Sequence, residues 1–122
     1  MDHSKEFLAA VEDAKSRITE VTIDELLERQ QRGDKFRLVD VREDDEWRAG
    51  HAVGAEHLGK GIIERDIVAR APDKDEELIL YCGGGFRSAL AADALTKMGY
   101  RRARSLAGGW RAWTTRGLPT AK

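Results

Sequence analysis

Short apolar runs alternate along this chain with segments whose apolar residues recur every three or four positions. That pattern predicts strands and helices in turn. Phe36-Arg37-Leu38-Val39-Asp40-Val41 and Leu78-Ile79-Leu80-Tyr81 have the length of buried strands, and the first is expected at the centre of a sheet. Glu20-Val21, Glu56-His57-Leu58 and residues 102–105 read as shorter strands. Between them, Phe7, Val11, Ala14 and Ile18 form one stripe behind a Ser4 cap, predicting a first helix packed on the outside of the domain. Thr22-Ile23-Asp24-Glu25 is a capping box that opens a helix from Ile23 to about Gln31, stopped near Gly33. Glu43-Asp44-Asp45-Glu46-Trp47 makes a short acidic turn closed by Gly50, with a solvated face. Ile62, Ile63, Ile67 and Val68 predict a further helix ended by Ala71-Pro72. A helix after Arg87 is expected to bury Leu90, Ala91, Ala94 and Leu95 and to stop at Gly99. A last glycine turn, Gly108-Gly109, opens a helix that carries Trp110 and Trp113. Strands alternating with helices imply parallel βαβ units with right-handed crossovers, hence an α/β fold: a central, mostly parallel five-stranded sheet with helices on both faces.

The chemistry concentrates where the Leu78 to Tyr81 strand ends. It runs into Cys82, the only cysteine, then Gly83, Gly84, Gly85, Phe86, Arg87 and Ser88, and then a helix. Three consecutive glycines allow backbone angles closed to other residues, so several N–H groups can turn towards one point. With the positive end of the following helix they form an anion site. A cysteine facing such a site is expected to stand largely as thiolate. A lone cysteine after a strand is more often a small core residue. The glycine loop and Arg87 favour the reactive reading, because core packing needs neither. Asp40 and Arg42 stand at the carboxyl end of their own strand, where ligands bind in open parallel sheets. They are equally read as a bracing ion pair.

Composition narrows the setting. At 122 residues the chain fits one domain. A charged fraction of 35% and a net charge of −1 argue for a well-solvated surface without a nucleic-acid or membrane partner. One cysteine cannot form an internal disulfide, which fits a reducing compartment. The polar start, Met1-Asp2-His3-Ser4-Lys5-Glu6, does not read as a signal peptide, and a cytoplasmic protein is expected. From Lys97 onwards the charges are all basic, including Arg111, and are read as a solvated edge strand and terminal helix in preference to a positive rim that attracts small anions. His3 falls in a terminus expected to be mobile, His51 is expected to make loop hydrogen bonds, and His57 to lie in or beside a strand. None has a second ligand at metal spacing, so neither a metal nor a cofactor is expected.

Five segments in order resemble the single-domain rhodaneses, a sulfurtransferase family. They are Leu38-Val39-Asp40-Val41-Arg42, Glu46-Trp47, Gly50-His51-Ala52-Val53-Gly54-Ala55, the loop from Cys82 to Arg87, and Leu106-Ala107-Gly108-Gly109-Trp110. Ala52 departs from the family's more usual isoleucine. The similarity runs from about residue 21 to 118, which divides the chain into an N-terminal helical extension, 1–19, and a rhodanese-like three-layer domain, 20–122. The resemblance implies that Cys82 attacks the outer sulfur of thiosulfate or a similar small anionic donor, holds it as a persulfide, and yields it to cyanide or a thiol. Two half-reactions imply ping-pong kinetics. The amides of residues 83–88 would stabilise the persulfide. Arg87 would bind the donor or pair with a carboxylate such as Asp40 or Glu46. Arg42 is read as a brace, and Trp110 as a half-buried aromatic cap near the loop.

Two other functions compete. Cysteine phosphatases also place a Cys…Arg loop at a helix N-terminus, but with five intervening residues. Here four intervene, and Ser88 stands where their arginine would be. The chain could instead be a persulfide relay to a protein acceptor or a non-enzymatic interaction module, with the first helix as a candidate docking element.

Overall fold

The computed structural model describes residues 3–122. In chain order the elements are α1 (Lys5–Lys15), β1 (Glu20–Val21), α2 (Ile23–Arg32), β2 (Arg37–Asp40), α3 (Asp44–Ala49), β3 (His51–Ala52), β4 (Glu56–His57), α4 (Ile63–Arg70), β5 (Leu78–Tyr81), α5 (Phe86–Lys97), β6 (Ala103–Leu106), α6 (Gly109–Thr115) and β7 (Thr120–Ala121). Five strands form one parallel sheet in the order β1-β6-β5-β2-β4. The α/β architecture read from the sequence is the one observed.

β5 is apolar at all four positions because it is covered on both faces and paired on both edges. It, and not β2, holds the centre. β2 is interior but has only the two-residue β4 between it and the edge. Strand alternation then divides the core. Val39, Leu78 and Leu80 face Ile63 and Ile67 of α4 and Ala91, Ala92 and Leu95 of α5. Leu38, Ile79 and Tyr81 face Leu26 of α2 and Trp113 of α6. α1 lies outside α5, with Val11 and Ala14 buried. The Ser4 cap, the Thr22/Glu25 capping box and the Gly33 stop form as expected.

Several expectations need correction. Leu90 and Ala94 are only half-buried, because the buried face of α5 turns through Ala91, Ala92 and Leu95 instead. The helix begins at Phe86, so Arg87 and Ser88 lie in its first turn. The sixth strand runs one residue later than the pattern placed it. β3 and β7 pair antiparallel in a separate two-stranded sheet that the pattern did not reveal, since two residues carry no period. The ring of His3 lies 5.1 Å from those of Phe7 and Phe86, contacts the pattern did not reveal. No helix among the described residues is long and apolar enough to cross a membrane.

At the amino ends of the strands, Glu77 is buried and gathers three arginines. Arg29 binds both its oxygens, Arg104 donates at 2.8 Å and Arg102 at 3.2 Å. The Arg29 hydrogen bonds, working against burial, hold Glu77 below its ordinary value of 4.5. A carboxylate lowered in the folded state contributes stability that is present above the ordinary value and lost as pH falls through the lowered one. Glu77→Gln is expected to lower stability at neutral pH by about 1–3 kcal/mol, less than for a fully buried pair because the arginines reach water. Urea unfolding across pH should show the gap to the parent protein closing below about pH 4.

Candidate active site

The end of β5 and the start of α5 are joined by a loop whose shape is fixed from the far side by α6. Trp110 N–H donates to the Cys82 carbonyl at 2.7 Å, and Arg111 N–H to the Gly83 carbonyl at 3.0 Å. The start of α6 thus takes the loop's carbonyls. In trans peptides the N–H groups of Gly83 and Gly84 must then point away from α6. The approach requires glycine at 109, where φ is +47° and a Cβ would collide with the Cys82 carbonyl. Gly85 likewise adopts φ +102°, and a Cβ there would lie 3.3 Å from the Gly108 nitrogen. The two glycine turns interlock.

This backbone surrounds the sulfur with donors. Cys82 Sγ accepts from Gly85 N–H at 3.1 Å and Ser88 N–H at 3.3 Å, and lies 3.5 Å from Ser88 Oγ. Of the six loop amides expected to help, these two reach Sγ itself. Those of Gly83, Gly84, Phe86 and Arg87 make no hydrogen bond among the described residues. Behind Ser88, its hydroxyl lies 2.8 Å from that of Ser105 on β6, and both residues are fully buried. When Ser105 donates to Ser88, the Ser88 hydrogen is free to point at the sulfur.

Cys82 is 1% exposed, yet it borders a cleft of about 540 Å³. Gly83, Gly84, Phe86 and Arg87 line it from the loop, Glu46 from α3, Arg111 from α6, Phe7 from the first turn of α1 and His3 from just before that helix. Arg87 does not stand free: its guanidinium donates to both oxygens of Glu46, at 2.8 and 3.2 Å. Arg87 in turn holds the Glu46 carboxyl below its usual range. Glu46 also accepts from Glu43 N–H, closing a capping box on α3. The acidic turn is therefore not wholly a solvated face, since Glu46 folds inwards while Asp44 and Asp45 stay exposed. The cleft's cation without a carboxylate partner among the described residues is Arg111.

The remaining sequence candidates form a separate cluster. Asp40 and Arg42 make a buried, two-toothed pair, and Arg42 also donates to the Gly50 carbonyl at 2.6 Å. The Arg42 guanidinium sits 4.7 Å from the Trp110 ring. None of the three lines the cleft. Arg111 was met in the sequence only as one of a basic run, and Ser105, His3 and Phe7 were not picked out as site residues. A serine at an inward position of a strand beside the cysteine strand, and an arginine just inside the helix opened by Gly108-Gly109, were the available signals. His3 and Phe7 carried none.

The chain belongs to the rhodanese-like domain family, whose model matches residues 22–116. A curated relative, thiosulfate sulfurtransferase GlpE of Pseudomonas fluorescens, is 37% identical over 78 residues, covering 64% of this chain and 70% of that one. Human single-domain sulfurtransferase TSTD1 superposes with a TM-score of 0.71 at 28% identity, covering 80% of this chain and 96% of that one. A Rhodopseudomonas palustris protein of unknown function, described as a possible tyrosine phosphatase, gives a TM-score of 0.83 at 28% identity, covering 99% and 98%. Other curated relatives are longer, and the chain spans between 22% and 66% of their length. Relatives named for sulfur transfer support that chemistry at the level of the family.

Ser105→Ala removes nothing that touches the sulfur, but frees the Ser88 hydroxyl to turn away. Alkylation of Cys82 by iodoacetamide at neutral pH is expected to slow about three- to tenfold, from loss of one aligned hydrogen bond to the anion. Intact-mass kinetics measure this directly.

Proposed function

We propose that this chain is a sulfurtransferase that carries a sulfane sulfur on Cys82. The observation that supports it most is the convergence of Gly85 N–H, Ser88 N–H and the Ser88 hydroxyl on one sulfur at the wall of a cleft. Such an arrangement stabilises negative charge on sulfur in both the resting and the loaded state.

In the first half-reaction the Cys82 thiolate forms a bond to the outer sulfur of thiosulfate or a similar donor. The bond from that sulfur to the sulfonate sulfur breaks, and sulfite leaves with the electron pair. Cys82 then carries a persulfide anion. In the second, the acceptor attacks the outer sulfur, and Cys82 departs as thiolate. With cyanide the product is thiocyanate. The amides of Gly83, Gly84, Phe86 and Arg87, unengaged among the described residues, are the donors left for the incoming charge. Arg87, clamped to Glu46, serves mainly to hold the start of α5, and its field reaches the sulfur. The guanidinium of Arg111, without a carboxylate partner among the described residues, is the better candidate for first contact with an anionic donor. Asp40 and Arg42 act on the loop from a distance, through the ring of Trp110, whose own N–H holds the Cys82 carbonyl.

The four-residue spacing between Cys82 and Arg87 leaves a cradle sized for sulfur and places Ser88 where a phosphatase would need arginine. A phosphate-ester activity is therefore not expected. The decisive measurement is intact mass after thiosulfate and again after cyanide. One added sulfur on Cys82, lost with formation of thiocyanate, is the expected result, and Cys82→Ser should abolish it without unfolding. If Cys82 loads from other sulfur donors but not thiosulfate, the protein is a relay with a different upstream source. If no donor loads it, the sulfurtransferase reading fails. Glu46→Gln is expected to lower kcat more than it raises KM for thiosulfate, because it loosens Arg87 and not the donor contact; stopped-turnover assays separate the two.

A further inference from the structure

The cleft is much larger than a small inorganic sulfur anion needs. About 540 Å³ lies within the range of pockets that take whole organic molecules. Its outer wall is built of rings. His3 and Phe7 lie with centroids 5.1 Å apart, His3 and Phe86 also 5.1 Å, and Phe7 and Phe86 6.2 Å, the last two pairs edge to face. Phe86 belongs to the cysteine loop, whereas Phe7 comes from the first turn of α1 and His3 from just before its Ser4 cap, outside the matched residues 22–116. α1 is held against α5 by buried Val11 and Ala14, and the segment after it by Arg17, which binds Asp93 of α5 at 2.9 and 2.8 Å. Two of the collar's three rings, Phe7 and Phe86, thus stand on helices packed against each other, and His3 packs against both. From α6, Arg111 brings a guanidinium with no carboxylate partner among the described residues.

We propose that α1 completes the site. The collar of His3, Phe7 and Phe86 and the Arg111 guanidinium form a subsite for the body of an organic thiol or organic persulfide that bears a carboxylate. The apolar part of the compound lies on the rings, its carboxylate meets Arg111, and its sulfur comes to Cys82. This rests on the reading of Cys82 as the sulfur carrier. The step is a balanced exchange. The thiolate of the organic compound bonds to the outer sulfur of loaded Cys82, the sulfur–sulfur bond to Sγ breaks, and Sγ leaves with the electron pair. One organic persulfide anion and one Cys82 thiolate result, and run backwards the same exchange loads the protein. Aromatic contact and a two-toothed carboxylate–arginine pair each favour the larger compound over cyanide, which has no ring to lay on the collar and meets a guanidinium only as a small point charge.

The test uses protein loaded with thiosulfate and freed of excess donor, so that only the second half-reaction is read. Two acceptors compete, 4-mercaptophenylacetate and cyanide, and the ratio of their second-order rate constants is the readout. Phe7→Ala and Arg111→Ala are each expected to lower that ratio about tenfold, equivalent to about 1.4 kcal/mol of selective binding. Benzyl mercaptan, which lacks a carboxylate, should lose its advantage over cyanide in Phe7→Ala and keep it in Arg111→Ala. An unchanged ratio in both variants overturns the subsite, including the case where both rates fall together. Parent protein that loads but shows no preference for the aryl thiol over cyanide also overturns it. Parent protein that never loads from any donor defeats the sulfurtransferase reading instead, and the intact-mass experiment tells the two failures apart.

Discussion

The carboxyl end of the sheet is organised around one buried ion pair. Asp40 and Arg42 have almost no contact with water, so each depends on the other for its charge to be tolerated. Arg42 gives a second Nη2 hydrogen bond to the Gly50 carbonyl and lays its guanidinium against Trp110. Those two contacts tie the end of α3 and the start of α6 to β2. Tyr81, one residue before the cysteine, lies in the same cluster and accepts the Ala52 N–H through its hydroxyl. The pair never reaches the cleft, but it sets where α3 and α6 stand, and these elements deliver Glu46 and Arg111. A buried pair of this kind is a poor source of net stability and a good source of fixed geometry.

The loop above it shows a division of labour along the backbone. The carbonyls of Cys82 and Gly83 are satisfied by α6, and the amides of Gly85 and Ser88 by the sulfur. Every peptide turned one way by α6 offers its other end to the opposite side. Interlocking glycines at 85 and 109 let two helix starts come within van der Waals contact of the same four-residue stretch. The charge of a loaded sulfur is thereby met by dipoles already in place, with no side chain obliged to move.

Much of this was legible in the chain. Leu78-Ile79-Leu80-Tyr81 followed by Cys82 and three glycines fixed a strand, a turn and a helix, because local propensity and turn chemistry agree there. The Thr22/Glu25 capping box marked the start of α2 to the residue. What escaped was whatever depends on distance in sequence. Arg87 had two possible carboxylates, and only the folding-in of α3 chooses Glu46. β3 and β7 find each other across nearly seventy residues with two residues apiece. Leu90 and Ala94 are only half-buried, although they lie one turn apart beside the buried Ala91 and Leu95, so helical period alone misjudged their burial. Ser105 behind Ser88, and His3 and Phe7 beside Phe86, are neighbours through tertiary packing alone.

The pinning of the cysteine loop by α6 also bears on the order in which the molecule is made. Cys82 leaves the ribosome well before Trp110 and Arg111, the residues whose amides hold its loop. Until they arrive, the carbonyls of residues 82 and 83 have no partner but water, and β5 lacks its β6 neighbour. The cradle is therefore a product of long-range closure and not of local folding, although all the groups that touch the sulfur lie within seven consecutive residues. A nascent or partly unfolded chain presents an ordinary thiol, and its special environment comes into being only with the closing of the sheet.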